Sequence, residues 1–513
     1  MDASRKRRFS LIALAGAGFL LALLWALPDI IALNLPQILR QAGFKEVSLG
    51  VVRAGWTRLE LENVALDKAL SAKRLAIGFT PFGLSSLEAR NLAIIARTDG
   101  KSLSLGPITL PLAGGGSGGG LPDIRLDQAK FKLETPLGQL NGLLNTETKG
   151  TSTRLRLDLS SDSQPALVAP LILTGIAGED ADGLHFAGKL NDPLHRFLIK
   201  LSANQDAKAG TQSGDMILER VEFEPGGLQL ADISPLLARH LKNVSGPLEG
   251  RLALTKEGGK TMSEARLSSP GLSFESHGAV VRNLMGTLSL DRLWPPRTPA
   301  PQNFSLGLLS VGVPLGSGSF AFGLEEDGGI FIKRAALNLA DGKLRLEPVR
   351  IGPDLTGTLV FQASDVDLAK LAPWFQLPGM TLGGTVDGAI PVILDKDGLK
   401  VAEAKLSARE KGFVRYRPES LPRALQDQGE AVSLMTAALR NFQYDSLALA
   451  LDGQAGGETT VAFHIKGRNP DLHDGTPFEF NFRLTGPLDS LARQAYGIVS
   501  LPGQFEAKHA ELR

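Results

Sequence analysis

The sequence predicts a mainly β protein: a single N-terminal transmembrane helix, then a long antiparallel sheet wet on one side, with a few short helices near the C-terminus. Three observations carry this. An uncharged run, Phe9–Leu27, follows a basic cluster. From about residue 46 onward, apolar and polar residues alternate in short runs parted by Gly, Asp, Asn and Pro. That is the period of strands with one buried face, punctuated by turns. Apolar residues at helical spacing are confined to a few short stretches.

The order of elements begins with Arg5, Lys6, Arg7 and Arg8, a basic segment over residues 1–8. The anchor follows at 9–27, with Phe9, Leu20 and Leu24 in the apolar run and Trp25 at its end. About 20 apolar residues cross a bilayer as a helix because every backbone polar group is bonded internally. The basic cluster stays cytoplasmic, so the remainder is exported, and Trp25 fits an interfacial position. The rival reading is a cleaved signal peptide, which has a shorter apolar run and ends in a small-x-small site; Leu24-Trp25-Ala26 does not supply one. Residues 28–45 read as a short helical connector that Pro36 interrupts and Gly43 ends.

Two β regions follow, 46–240 and 241–513, the first containing a flexible Gly-rich loop, GGGSGGG, at 114–120. RLELENVAL (58–66) places Leu59, Leu61, Val64 and Leu66 on one face with one slip. TRLRLDLS (153–160) sets Leu155, Leu157 and Leu159 against Arg154, Arg156 and Asp158. A meander is expected over 318–351, and strands over DSLALALDG (445–453), TTVAFHIKG (459–467) and PFEFNFRL (477–484). Charges at every second position decide which face is wet. Helices are expected at 236–243, 366–375, 430–442 and 488–499. In the third, Val432, Met435, Leu439 and Phe442 share one helical face.

The chemistry that composition excludes is clear. Net charge is +1, so bulk electrostatics argue for no nucleic-acid partner. With no Cys there is no disulfide, thiolate zinc site or Cys nucleophile, and the lack of thiols suits an oxidising compartment. The 7 His residues are scattered without metal-ligand spacing, and His464 reads as a solvated strand residue. Gly115–Gly119 formally matches G-x-S-x-G, but a nucleophile elbow needs a strand before it and a helix after it. DKDG (395–398) lacks the framework of a calcium loop and reads as a β-turn. No catalytic residue, metal site or cofactor is expected, and the chain is not read as an enzyme.

What the apolar faces cover is open on alternation alone. Two sheets can close on each other as a sandwich, or one sheet as a barrel. Against that stand few aromatics, 6%, and strands rich in Leu, Ala and Gly where a dense sandwich core draws on aromatic and β-branched residues. About 30 strands in one sheet at ~4.8 Å each would run ~140 Å. Bent lengthwise, such a sheet makes a trough, polar outside and apolar inside.

Motifs narrow the choice. GPLEGRLAL (246–254), RLWPPRTPAPQ (292–302), GVPLGSGSFAF (312–322), GGTVDGAIPV…GFVRYRP (383–418), NFQYDSLALALD (441–452) and GRNPDLHDGTPFEFNFRL (467–484) occur in this order. From about 240 to 513 the chain resembles the YdbH-type branch of the AsmA-like proteins, a family of bridge-like lipid transfer proteins. Before that the likeness rests on the anchor and GWTRLELENVAL (55–66). The resemblance implies a long, curved antiparallel β-groove, a taco-like trough, on an inner-membrane anchor with its bulk in the periplasm. Phospholipids would pass along it between inner and outer membranes, with a small outer-membrane lipoprotein at the C-terminal end. The family region also carries a dicarboxylate-transport label, for which no converging Arg cluster is found. The expected lining is Val386, Ile390 and Val392; Leu447, Leu449 and Leu451; Val461, Phe463 and Ile465; and Phe478, Phe480 and Phe482. The alternative is an anchored structural or assembly factor for outer-membrane biogenesis without lipid conduction. In LGGTVDGAIPV, Gly383, Gly384 and Gly388 are expected to permit bulging, and Pro391 to mark an edge or bulge.

Overall fold

A computed structural model describes residues 34–487, apart from 81–82, 99–101, 112–122, 150, 181, 207–208, 258–259, 294, 312, 376–378, 396–397, 418–428 and 455–457. The anchor expected at 9–27 with its basic cluster, the GGGSGGG run and the helix expected at 488–499 lie outside the described residues. Among those described, no helix is long and apolar enough to cross a membrane. The chain is mainly β, an open and mostly antiparallel sheet with few helices. It forms two compact units: residues up to 221 with 228–239 and 251–262, and residues 222–227, 240–250 and 263 onward.

The first unit opens with a helix at 34–41. Pro36 does not interrupt it. It lies inside the described helical residues. Gly43, at φ 106, ends the helix as expected. Leu35 and Leu39, one turn apart, pack on a cluster of Phe44, Leu61, Val64, Leu66, Ala69 and Leu92. Strand Val47–Ala54 pairs with Arg58–Leu66, and that strand with Leu70–Thr80. The slip in RLELENVAL is Asn63, whose φ of 49 turns one residue out of the alternation.

The expectation of a purely antiparallel sheet fails at one place. Gly83–Arg90 runs parallel to Asp123–Asp127, and Ala93–Thr98 parallel to Ala129–Thr135. Parallel neighbours need a long crossover, and here residues 99–122 provide it, with a hairpin of Ser102–Leu105 and Ile108–Pro111 inside it. Beyond this point the ladder is antiparallel through Gly138–Lys149, Ser152–Ser160, Leu171–Asp180, Gly183–Asn191, Ile199–Asp206 and Thr211–Phe223.

In the second unit the meander over 318–351 forms as Gly318–Leu324, Ile330–Leu339, Gly342–Leu346 and Val349–Ile351. It continues through Gly357–Asp367, Thr385–Asp395, Gly398–Ala408, Phe442–Gln454, Glu458–Arg468 and Pro477–Pro487, all antiparallel. RLWPP makes a minimal hairpin, Arg292–Leu293 with Pro296–Arg297, held by two bonds from Arg297 to Asp291. Gly388, at φ 157, leaves no room for a Cβ against the Lys405 carbonyl. The register with Gly398–Ala408 breaks between Ala389 and Val392, and Pro391 lies at that break while facing Val360 on the other neighbouring strand.

The helices are shorter than their apolar patterns, and the one before the first strand lies within the connector expected at 28–45. The helix expected at 236–243 is Pro235–Ala238 alone, because Lys242 already begins a strand. Leu368–Leu371 starts at an Asp367 N-cap that accepts the Ala369 N–H, and Val366 before it is strand. The 429–439 helix ends before Phe442, which enters the sheet.

Candidate functional site

Three registers in the first unit place aliphatic side chains in line across the ladder. Ala129, Leu144, Leu157, Leu173, Leu190, Ile199 and Leu218 are successive partners on seven strands. One step along, the row reads Thr146, Leu155, Gly175, Gly188, Leu201 and Met216. A third runs Gly142, Leu159 and Leu171. At ~4.8 Å per strand the first row is ~29 Å long. The opposite face carries Arg156, Thr174, Lys189 and Lys200 at matching positions, with ion pairs Arg156–Asp158 and Lys200–Glu219.

This apolar face is not closed. Leu144, Leu155, Leu157, Leu159, Leu173, Leu190, Ile199, Leu201 and Leu218 each keep part of their surface accessible, and Met216 is exposed. Phe186 lies over Gly175 and Gly188: a Cβ on either glycine would sit 2.5 or 2.6 Å from its ring. The glycines therefore let one aromatic ring lie across two neighbouring strands, which keeps the surface apolar where two side chains are missing.

The residues named from the motifs lie in the second unit, and the structure divides them. Val386 is at 0% exposure, and Leu447, Leu449, Val461, Phe463 and Ile465 are buried with it in one cluster. The same cluster holds Leu368, Leu371, Leu382, Val414, Tyr416 and Leu439. Two helices and the short pair Met380–Gly383 with Gly412–Tyr416 therefore share this core. The cover over Val386 is protein, not a foreign group. Ile390, Val392, Leu451, Phe478, Phe480 and Phe482 are only partly buried. The three Phe residues stand on the last strand, with Phe463 stacked on Phe482 at 4.6 Å and Phe478 on Phe480 at 5.8 Å.

Polar groups in this core are satisfied. Tyr444, 1% exposed, donates its hydroxyl proton to the Gly383 carbonyl at 2.9 Å, and burial pushes its phenol above the ordinary range. A Cβ on Gly384 or Gly412 would collide with that hydroxyl. In the first unit, burial raises the Asp192 carboxyl, but the Arg196 guanidinium and backbone N–H outweigh it, so the net shift is downward. This pair fastens a loop.

A cavity of about 760 Å³ lies against strands 398–408, 442–454, 458–468 and 477–487. Its lining takes in Lys405, Ser407, Ala448, Ala450, Ala462, His464, Asn481 and Arg483 together with Leu406, Leu449, Phe463 and Phe482 that alternate with them along the four strands; Leu406, Leu449 and Phe463 are buried. It is a depression over alanines on the wet side. His464 contacts Asn481 at 2.5 Å and lies 3.5 Å from Glu479. Among the described residues no group of three or more His, Asp or Glu could hold a metal ion.

The model of the YdbH-like family, described as intermembrane phospholipid transport protein YdbH, matches residues 101–508. The chain belongs to the YdbH-like family. No curated protein and no solved structure matches it. The match begins well before residue 240, so the open rows of the first unit lie within the YdbH-like region along with the closed core of the second. The family is named for intermembrane phospholipid transport, not for a catalysed reaction. Of the open rows, only Leu155, Leu157 and Leu159 stand out in the sequence. The alternation in LILTGIAG (171–178) and GLHFAGKL (183–190) carries the same signal, weakened by Gly175, Ala177 and Gly188.

Proposed function

We propose that this YdbH-like chain is an inner-membrane-anchored periplasmic conduit that moves phospholipids between the inner and outer membranes. The tails lie on the rows through Leu157 and Leu190, and the headgroups stay in water. The observation that carries this reading is the line of aliphatic residues across seven strands, of which the six from Leu144 to Leu218 keep accessible surface. Each CH₂ taken into water costs about 0.8 kcal/mol, so a two-tailed lipid does not cross free solvent readily. A continuous apolar floor keeps that cost low at each step. It has no preferred direction, so direction is imposed at the ends. Among the described residues strand Pro477–Pro487 pairs only with Glu458–Arg468, and its other edge suits strand addition by a small outer-membrane lipoprotein.

The test is the full-length chain with Leu157→Asp and Leu190→Asp together. Expected is a fold intact by hydrogen exchange, severalfold less co-purifying phospholipid by mass spectrometry, and loss of transfer between donor and acceptor vesicles. Unchanged phospholipid in an intact fold refutes the conduit and favours an anchored assembly factor.

A further inference from the structure

We propose that strand Val47–Ala54 and the turn after it form a lip that rests on the surface of an anionic phospholipid bilayer. This rests on the reading of residues 9–27 as an inner-membrane anchor and deepens it by naming what the folded chain itself touches. The strand is an edge: among the described residues its one strand partner is Arg58–Leu66. Soluble proteins usually cover such an edge or line it with charge. Here the register shifts between Val51 and Arg53, so Val52 is the extra residue of a bulge and stands 55% exposed. Trp56 in the following turn is 57% exposed, and Val51 is exposed as well. A large aromatic and two valines on one unpaired edge form the kind of patch that marks a contact surface, and Trp is the residue best suited to the bilayer interface.

Two further observations choose the occupant. Arg40, Lys45 and Arg53 flank this edge, exposed. Their side chains have no carboxylate partner among the described residues, whereas Arg58 and Arg74 nearby are paired with Glu60 and Glu88. Free cations beside an apolar edge match a layer of anionic headgroups, each adding a favourable term near such a surface. The second observation is chain length. The apolar run ends at Leu27 and residue 34 already lies in the described helix, a span of at most ~25 Å even fully extended. That helix is tied through Leu35 and Leu39 to the cluster that includes Val47 and Leu49 of the same edge. The edge is thereby tethered within reach of the bilayer that holds the anchor.

The absence of Cys makes the test direct, since one introduced thiol reports alone. The full-length chain is reconstituted into vesicles of phosphatidylethanolamine and phosphatidylglycerol. Each of Val52→Cys, Trp56→Cys and, as a control, Ile176→Cys carries an environment-sensitive fluorophore. Ile176 is an exposed apolar residue on the wet face of the ladder. Expected is severalfold stronger quenching by spin-labelled lipid at 52 and 56 than at 176, and loss of most of that difference with Lys45→Glu and Arg53→Glu together. Quenching at 52 and 56 no greater than at 176 overturns the lip, and a difference that survives charge reversal overturns the anionic contact. Phospholipid retained by the same preparations separates the two readings: retention without docking removes the lip alone, and docking without retention removes the conduit alone.

Discussion

In the ladder of the first unit, Leu157 and Leu190 point to the apolar face and keep part of their surface. In the second unit Leu449 and Phe463 take the same inward position and are 5% and 3% exposed. Both pairs sit on antiparallel strands with polar residues on the reverse face. What differs is the cover. Helices 368–371 and 429–439 and the short strands 380–383 and 412–416 bring Leu368, Leu371, Leu439, Leu382 and Val414 into the second unit's cluster. Strand composition thus makes an apolar face, and the segments between strands decide whether it becomes a core or stays open to a ligand.

The comparison can be broken by putting one charge on each side of it. Leu449→Asp buries an unpaired carboxylate in the closed core, so a loss above about 4 kcal/mol is expected. Hydrogen exchange should report it from the second unit while the first stays protected, since two units do not unfold as one transition. Leu449 tests folding, not transport. Leu157→Asp, on the open face, is expected to cost under about 1 kcal/mol, because its carboxylate keeps access to water, yet to strip bound phospholipid severalfold.

The fold was largely legible from alternation. A strand shows its wet face by charges at every second position, as Arg154, Arg156 and Asp158 do, and its turns by Gly and Asp, as at Asp395 and Gly398, which pair across the two-residue turn. The site was less legible. The motif-rich strands drew attention to Val386 and Leu449, but period-2 patterning is identical for a residue under a helix and a residue under a lipid. The parallel pairing around residues 86–134 was also invisible, since it depends on where a crossover returns the chain. Gly175 and Gly188 broke the pattern just where Phe186 needs them.

Smaller effects sharpen the contrast. Tyr444→Phe removes the bond to the Gly383 carbonyl and should cost about 1 kcal/mol. Because burial raises this phenol's pKa in the folded chain, the native protein's stability is full below the ordinary tyrosine value of about 10. It is lost as pH rises above that toward the folded value, because the unfolded chain ionises first. An alkaline denaturation series on Tyr444→Phe should show a flatter decline in the second unit. Least of all, Lys200→Gln on the wet face of the open ladder should change stability by no more than about 0.5 kcal/mol and leave phospholipid retention as it was.

The most direct test of the open-face claim places a photoactivatable phenylalanine analogue at Leu157, Leu190, Leu449 or Ile465 in the full-length chain, irradiates cells, and looks for phospholipid adducts by mass spectrometry. Adducts at 157 and 190 with none at 449 and 465 are predicted. Adducts at 449 and 465, with none at 157 and 190, would contradict the account.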